Sequence, residues 1–518
     1  MQRKRVGKIG MILAGAAILA CPGRVNAEGL RERIDRMEQE LKQMKHELQR
    51  QKEVQEKTVA SQEAKEGAAP KRATGQYREL FDRVKVGGYG SFRFEHSDLD
   101  ELKNTFTFRR FVLTTDANIA PRLRAAIELE FERFRKIELE KGLRATGRGL
   151  RAQQAVEGTN DSEISLEQGW VQYDLQDWLR FRGGAILVPL GRFNIKHDDN
   201  RWDLPRRSLV DRGVPVLPST AAWDELGVGF NGDVAFGESV LGSYELYVMN
   251  GVTLDSTIEK VAETRMGDTT KMTSEVELSP FTGTFNLDNK DAKAVSGRFA
   301  LSPSVGSEIA TSFYWGRYTP DFLPNEDIYA ISADGLIPLG PFELEGEYVF
   351  THFGGVRGLA RRFANVALEG ESEIEGGGVE QEVEFELAKL ASDKQGYWID
   401  LRYHFWPALL DDTVFDRPFE HPQLIATVRG EQAWLGGLVR RAEFSAGQLT
   451  DFEVENRRVD RVTLGLAYRP VPLVVFQLAY EYTRTDGGRS LGDVTNFLPA
   501  QADENDAHAF LGGIAFGF

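Results

Sequence analysis

From about Arg83 onward the chain alternates apolar and polar residues with a period of two, as strands do when one face meets an apolar medium and the other meets water. Val84, Val86, Gly88, Gly90, Phe92 and Phe94 alternate with Lys85, Gly87, Tyr89, Ser91, Arg93 and Glu95. Leu123, Ala125, Ile127, Leu129 and Phe131 share one face, with Arg122, Arg124, Glu128, Glu130 and Glu132 on the other. The pattern returns with Leu179, Phe181 and Leu187 around Arg180 and Arg182, and with Phe342, Leu344 and Tyr348 around Glu343, Glu345 and Glu347. It recurs again at Ile399, Leu401 and Tyr403, at Val462, Leu464 and Leu466, and at Phe476, Leu478 and Tyr480. Such runs approach the ~9–11 residues that cross a bilayer obliquely, whereas soluble strands average ~5–6. About 16 segments (16–18) predict an all-β fold, a large transmembrane antiparallel β-barrel.

The connections sort into two kinds. Short ones carry Pro, Gly or Asp, as at Ala120-Pro121, Gln176-Asp177, Pro338-Leu339-Gly340 and Pro470-Val471-Pro472. Long ones cover roughly 140–163, 189–222, 251–290, 353–392 and 485–505. Short inner turns and long outer loops are what an outer-membrane barrel shows. Phe510, Ile514, Phe516 and Phe518 put an apolar, aromatic face on the last strand, similar to the strand by which such barrels are recognised for assembly.

Before the barrel the period differs. Basic residues Arg3, Lys4, Arg5 and Lys8 precede the apolar run Ile9 to Ala20, and Val25-Asn26-Ala27 offers a cleavage site, so 1–27 reads as a signal peptide. Ile18-Leu19-Ala20-Cys21 offers a rival lipoprotein cut. Leu30, Ile34, Met37, Leu41, Met44 and Leu48 form a heptad seam, predicting a short α-helical coiled coil over 28–58, in the periplasm. Residues 59–82 lack periodicity and read as a periplasmic linker, with the barrel over 83–518.

Composition narrows the function classes. The 79 acidic residues outnumber the 63 basic ones, for a formal charge of −16, which argues against nucleic acid as a partner. The single cysteine, Cys21, lies in the leader, so no thiol chemistry is expected beyond it. The seven histidines show no HExxH spacing, and no G-x-S-x-G elbow is present. His197-Asp198-Asp199 reads as solvated loop rather than a cation site, and 286–291 lacks the distal Glu of a calcium loop. No enzyme activity, cofactor or metal is expected.

Lys85-Val86-Gly87-Gly88-Tyr89-Gly90-Ser91-Phe92-Arg93-Phe94, Thr107-Phe108-Arg109-Arg110-Phe111 and Val188-Pro189-Leu190-Gly191-Arg192-Phe193 carry a resemblance to the outer-membrane porins typified by the phosphate-selective porins O and P. The resemblance implies a passive channel in the outer membrane of a Gram-negative bacterium. It also implies that the loop 189–222 folds inward and narrows the lumen. That loop holds Arg192, Lys196, Arg201, Arg206, Arg207 and Arg212, candidate constriction residues whose guanidinium groups would hold anions. Asp198, Asp199, Asp203 and Asp211 stand among them, so an ion-paired brace is the rival role. Arg93, Arg122, Arg124, Glu128, Glu130, Glu132, Arg180 and Arg182 are candidate lumen-wall residues. Acidic wall and loop segments argue for weak selectivity over phosphate specificity. Expected partners are membrane lipid and lipopolysaccharide, further copies of the chain (a trimer is the favoured homo-oligomer) and a cell-wall or periplasmic partner for the coil. Two other roles remain open at this level: a structural barrel tethering the envelope through the coil, and a sheath around an electron-transfer protein.

Overall fold

Alternation gives every strand one apolar and one polar face, and the chain resolves the difference by closing. The computed structural model describes residues 83–518 apart from 100–102, 134–136, 147–148, 159–162, 212–215, 238–239, 267–268, 282–284, 286–287, 370–377, 386–390, 446–447 and 487–504. The expected signal peptide, coiled coil and linker lie outside the described residues. The strands in chain order are β1 (Val84–Ser97), β2 (Thr105–Ala120), β3 (Leu123–Glu132), β4 (Ile137–Thr146), β5 (Gly149–Gly158), β6 (Glu163–Gln176) and β7 (Leu179–Leu187). Then come β8 (Asp224–Phe236), β9 (Val240–Met249), β10 (Thr253–Met266), β11 (Thr269–Phe281), β12 (Ala294–Ser302), β13 (Glu308–Arg317) and β14 (Asp327–Leu339). The last are β15 (Phe342–Phe353), β16 (Gly378–Phe385), β17 (Asp393–Phe405), β18 (Gln423–Ser445), β19 (Gln448–Val471), β20 (Val474–Thr485) and β21 (Asp506–Gly517).

Sixteen of these form the barrel, each antiparallel to the next, with β4, β5, β10, β11 and β16 left outside the ring. The ring closes where β21 meets β1, from Tyr89 opposite Gly517 to Ser97 opposite Ala509. Register follows the side chains, because a slip of one residue would turn every apolar face inward. Ile127, Leu129, Phe181, Leu246, Ile331, Leu344, Ile399, Val428 and Leu464 all point outward and are exposed. Their neighbours Glu128, Glu130, Glu345, Asp400, Arg429 and Thr463 point inward and are buried. Aromatic rings flank this apolar belt. Tyr329 packs on Phe350 towards the long-connection end, and Phe342 on Tyr403 towards the short-turn end, with ring centroids 6.1 and 4.9 Å apart.

The long connections at 251–290 and 353–392 are not the plain loops that their sequence suggests. The first is the hairpin β10–β11. The second holds a helix, α1 (Val356–Glu369), and β16, which falls within the acidic run 369–386. Strand β16 lies parallel to β11 and antiparallel to the far part of β18, giving a small outer sheet. Val356, Leu359, Ala360, Ala364 and Ala367 share one face of α1 at helical spacing. They are buried with Val276, Val383, Leu438, Ala442 and Phe444 of that sheet. The same apolar cluster continues through wall residues Tyr247, Tyr314 and Trp398 to Phe193, Trp202, Val210 and Leu217 of the connection between β7 and β8.

Candidate functional site

Residues 188–223 leave β7, enter the lumen and return to β8. The entry is clasped by one side chain. The fully buried Asn194 donates from Nδ2 to the carbonyls of Val188 (2.8 Å) and Trp223 (3.3 Å), while its Oδ1 accepts from the Trp223 N–H at 2.8 Å. Gly191 has φ 73°, a left-handed conformation, and a Cβ there would stand 2.0 Å from Glu347 Oε1, so only glycine passes this point without a shift. Inside, the Phe193 ring stacks on Trp202 at 4.5 Å, and wall residue Trp398 meets Trp202 edge-on at 5.4 Å.

The segment then ties to walls around the ring. The Arg192 guanidinium pairs with Glu345 of β15 and, at 2.6 Å, with Glu308 of β13. Glu347 accepts from the backbone N–H groups of Arg192 (3.1 Å) and Phe193 (3.0 Å) and from Trp398 Nε1 (3.0 Å). Asp199 accepts from Ser91 of β1 at 2.6 Å and pairs with Arg110 of β2 at 3.4 Å. Asp203 pairs with Arg469 of β19 at 2.7 Å and Arg402 of β17 at 3.4 Å. Arg206 pairs with Glu481 of β20 and, at 3.1 Å, with Glu95 of β1. Glu431 of β18 accepts from the Leu209 N–H at 2.9 Å. Arg207 turns back on its own segment, donating to the carbonyls of Ala221 (2.6 Å) and His197 (3.1 Å) and pairing with Asp211 at 3.4 Å.

The expected constriction cations therefore fall into groups. Arg192, Arg206 and Arg207 are buried and ion-paired. Lys196 and Arg201 reach a cavity of about 1070 Å³ at the short-turn end, together with Asp198, Asp203, Glu343, Glu345, Arg402 and Arg469. Arg212 lies outside the described residues.

Of the wall candidates, Arg93 donates to the Pro205 carbonyl at 3.2 Å, and Glu130 and Glu132 face Arg110 at 2.9 and 3.7 Å. Glu128 accepts from Gln168 at 2.6 Å. Arg124 pairs with Asp116 (2.8 Å), Arg180 with Asp233 (2.5 Å), and Arg182 bonds Gln172 and lies 4.4 Å over the Trp170 ring. Arg122 departs from expectation. It occupies the β2–β3 turn with φ 66° and donates to the Leu175 carbonyl at 3.4 Å, because the strand has already ended at Ala120. His197 departs too: it is 2% exposed, not solvated loop. Glu95, Arg429, Glu431 and Glu481, which sequence reasoning did not single out, complete the site. For Glu95 and Glu481 the signal was the inward parity of strands already recognised; Arg429 and Glu431 lie on β18, whose alternation was not singled out.

Burial sets the segment's proton affinities, and its neighbours correct them. Burial and the Arg192 charge lower Lys196. Burial would raise Asp199, but Arg110 and Arg207 hold its carboxyl well below the usual range. Burial works against charge on His197, yet Glu167 and Asp198 lift it to about 9.

No protein-family profile matches the chain, so the resemblance to the phosphate-selective porins O and P finds no support there. A protein of Aquifex aeolicus (strain VF5), described only as uncharacterized, is 24% identical over 170 residues. The match covers 33% of this chain and 32% of that relative, about a third of its length. Among solved structures, an anion-selective porin from Comamonas acidovorans aligns with 10% identity over 84% of this chain and 99% of its own, at TM-score 0.42. The outer membrane channel DcaP of Acinetobacter baumannii gives 9%, 84%, 97% and 0.41. Salmonella typhi OmpF in complex with daunomycin gives 9%, 84%, 97% and 0.44. At these values the likeness bears on no solute and no selectivity.

Proposed function

We propose that this chain is a passive outer-membrane channel for small hydrophilic solutes and ions, without enzymatic activity, in which residues 188–223 set the bore. The observation that carries the reading is a polar, ion-paired lumen crossed by one anchored segment, inside a barrel whose outer face is apolar. The apolar belt with its aromatic rims suits lipid, and the sorting of connections suits an outer membrane. A ring of about 16 strands is too wide for its own wall side chains to fill, which leaves an aqueous path or room for a plug. Selectivity is weak in this reading. The buried arginines are neutralised by carboxylates, and the cavity that Lys196 and Arg201 face also holds Asp198, Asp203, Glu343 and Glu345. Assembly into a homo-oligomer through the heptad residues of 28–58 belongs to the same proposal.

A second reading, a structural barrel, draws on the apolar cluster that runs from Phe193 and Trp202 to α1 and the outer sheet. Planar-bilayer recording separates the two. Purified protein should give discrete conductance steps that enlarge when Arg206 is replaced by Ala. A folded barrel that conducts in neither form overturns the channel and leaves the structural reading.

A further inference from the structure

We propose that Glu128, Glu167, His197 and Asp198 bind a divalent transition-metal ion that clamps the inward segment to β3 and β6. The ligand atoms of Glu128, His197 and Asp198 lie within 4.8 Å of one another. His197 Nε2 stands 3.7 Å from Glu167 Oε2 and 3.8 Å from Asp198 Oδ1. Two donors on a tetrahedral ion with ~2.1 Å bonds are about 3.4 Å apart, so the two His197 separations need to close by a few tenths of an ångström, and the carboxylate side chains, Glu128 above all, must turn inward further to complete the shell.

The hydrogen bonding of the imidazole points the same way. His197 Nδ1 is 2.8 Å from the carbonyl oxygen of Asn194, which can only accept, so Nδ1 carries the hydrogen. In the neutral ring Nε2 is then a bare lone pair aimed at carboxylates. His197 and Glu167 are 2% and 3% exposed, and neither Nε2 nor Glu167 Oε2 has a hydrogen-bond partner. Two buried acceptors facing each other are repulsive until a cation stands between them. A proton on Nε2, which the charges of Glu167 and Asp198 favour at neutral pH, is the competing occupant; at 3.7 Å it meets Glu167 by charge attraction without a hydrogen bond, and a metal ion must displace it. A metal ion would engage both atoms and Asp198 at once.

The surroundings resemble the outer support of metal sites, where a ligating histidine donates its other N–H to a carbonyl and ligating carboxylates are themselves hydrogen-bonded. Gln168 Nε2 fixes Glu128 at 2.6 Å, and Trp170 Nε1 in turn holds Gln168 Oε1 at 3.3 Å. One imidazole with carboxylates suits Zn²⁺ or a neighbouring first-row ion better than Ca²⁺ or Mg²⁺. Glu128 and Glu167 belong to the wall and the other two to the segment, so the ion would couple them.

The test uses the full folded barrel in detergent, stripped with chelator and dialysed against Zn²⁺ at neutral pH, with bound metal measured by mass spectrometry. One saturable ion per chain is expected. His197→Ala and Glu167→Gln should each weaken it by at least ~10-fold. Co²⁺ in place of Zn²⁺ should give ligand-field absorption bands that vanish in His197→Ala. Heat-modifiable mobility on gels verifies each fold. If His197→Ala does not fold, Asp198→Asn at the half-buried edge should still alter the Co²⁺ bands. No saturable binding, or the same affinity and spectrum in wild type and the folded variants, overturns the site.

Discussion

Replacing Arg206 with Ala should release the inward segment from the wall where β20 meets β21 and β1. The guanidinium is 1% exposed and lies between Glu95 and Glu481, each with a side chain 3% exposed. Removing one partner of such a group strands the others without water, which costs about 3–5 kcal/mol. Glu95 keeps Arg93 at 2.7 Å, and Glu481 keeps the neighbouring Arg461 charge and a 3.4 Å hydrogen bond from Thr463, so the loss is shared between the two carboxylates. At 1.4 kcal/mol per factor of ten, the undocked population of the segment should rise from about a hundredfold to a few thousandfold. Hydrogen-exchange mass spectrometry on 188–223 reads this directly, and bilayer recordings should show larger or flickering conductance. Arg206→Gln/Glu481→Gln removes both charges and should recover most of the protection, since replacing both partners leaves no uncompensated buried charge. Unchanged exchange over 188–223 in a correctly folded Arg206→Ala barrel would refute the bracing role.

Three further outcomes follow from the same geometry. A Cβ on Gly465 would stand 2.2 Å from Leu204 Cδ2, so Gly465→Val should speed exchange around Leu204 while leaving the β18–β19 ladder protected. Lys196→Ala/Arg201→Ala should move the reversal potential modestly towards cation preference, with the shift fading at about 1 M salt, where screening shortens to ~3 Å; a shift that persists there would place these cations elsewhere in the conduction path. Leu464→Arg puts a charge on the outward face of β19 and should cost about 2–4 kcal/mol in urea refolding into vesicles, whereas a neutral result would mean that this face does not meet lipid.

Why was the barrel legible and its outer parts less so? Each barrel strand carries its address locally. Leu344 and Tyr348 outside and Glu345 and Glu347 inside follow from parity alone, and an even count of such segments has few ways to pair. Beyond the ring the pattern fails, because the apolar faces meet each other instead of lipid. The helical spacing of Val356, Leu359, Ala360 and Ala364 is present in the sequence, but it sits inside a connection of outer-loop length. Among the described side chains of β16, a strand rich in Glu, Val383 and Phe385 are the apolar ones buried with α1 and β18. A strand that short, with that much charge, reads as acidic loop until its partners are known.

The site was half legible for a different reason. The cations of the inward segment can be counted from sequence, and so can the wall carboxylates, but their pairing cannot. Arg192 meets Glu345 at a separation of 153 residues, and Arg206 meets Glu481 at 275. No local pattern encodes such a match, so an arginine-rich loop looks like an anion filter when most of its charge is already matched. The distinction has a physical consequence. A wide lumen could be filled more stably by apolar side chains, since buried ion pairs seldom repay their desolvation. What the pairs supply is uniqueness of placement: Arg192, Asp199, Asp203 and Arg206 fit only where their counter-charges on the wall stand, and any other docking leaves several buried charges alone. The segment is therefore held in one register by the cost of its alternatives. One neutralised pair leaves the register fixed by the others; neutralising several matched pairs together should accordingly loosen its placement more than its average stability, with heterogeneous exchange over 188–223 as the sign.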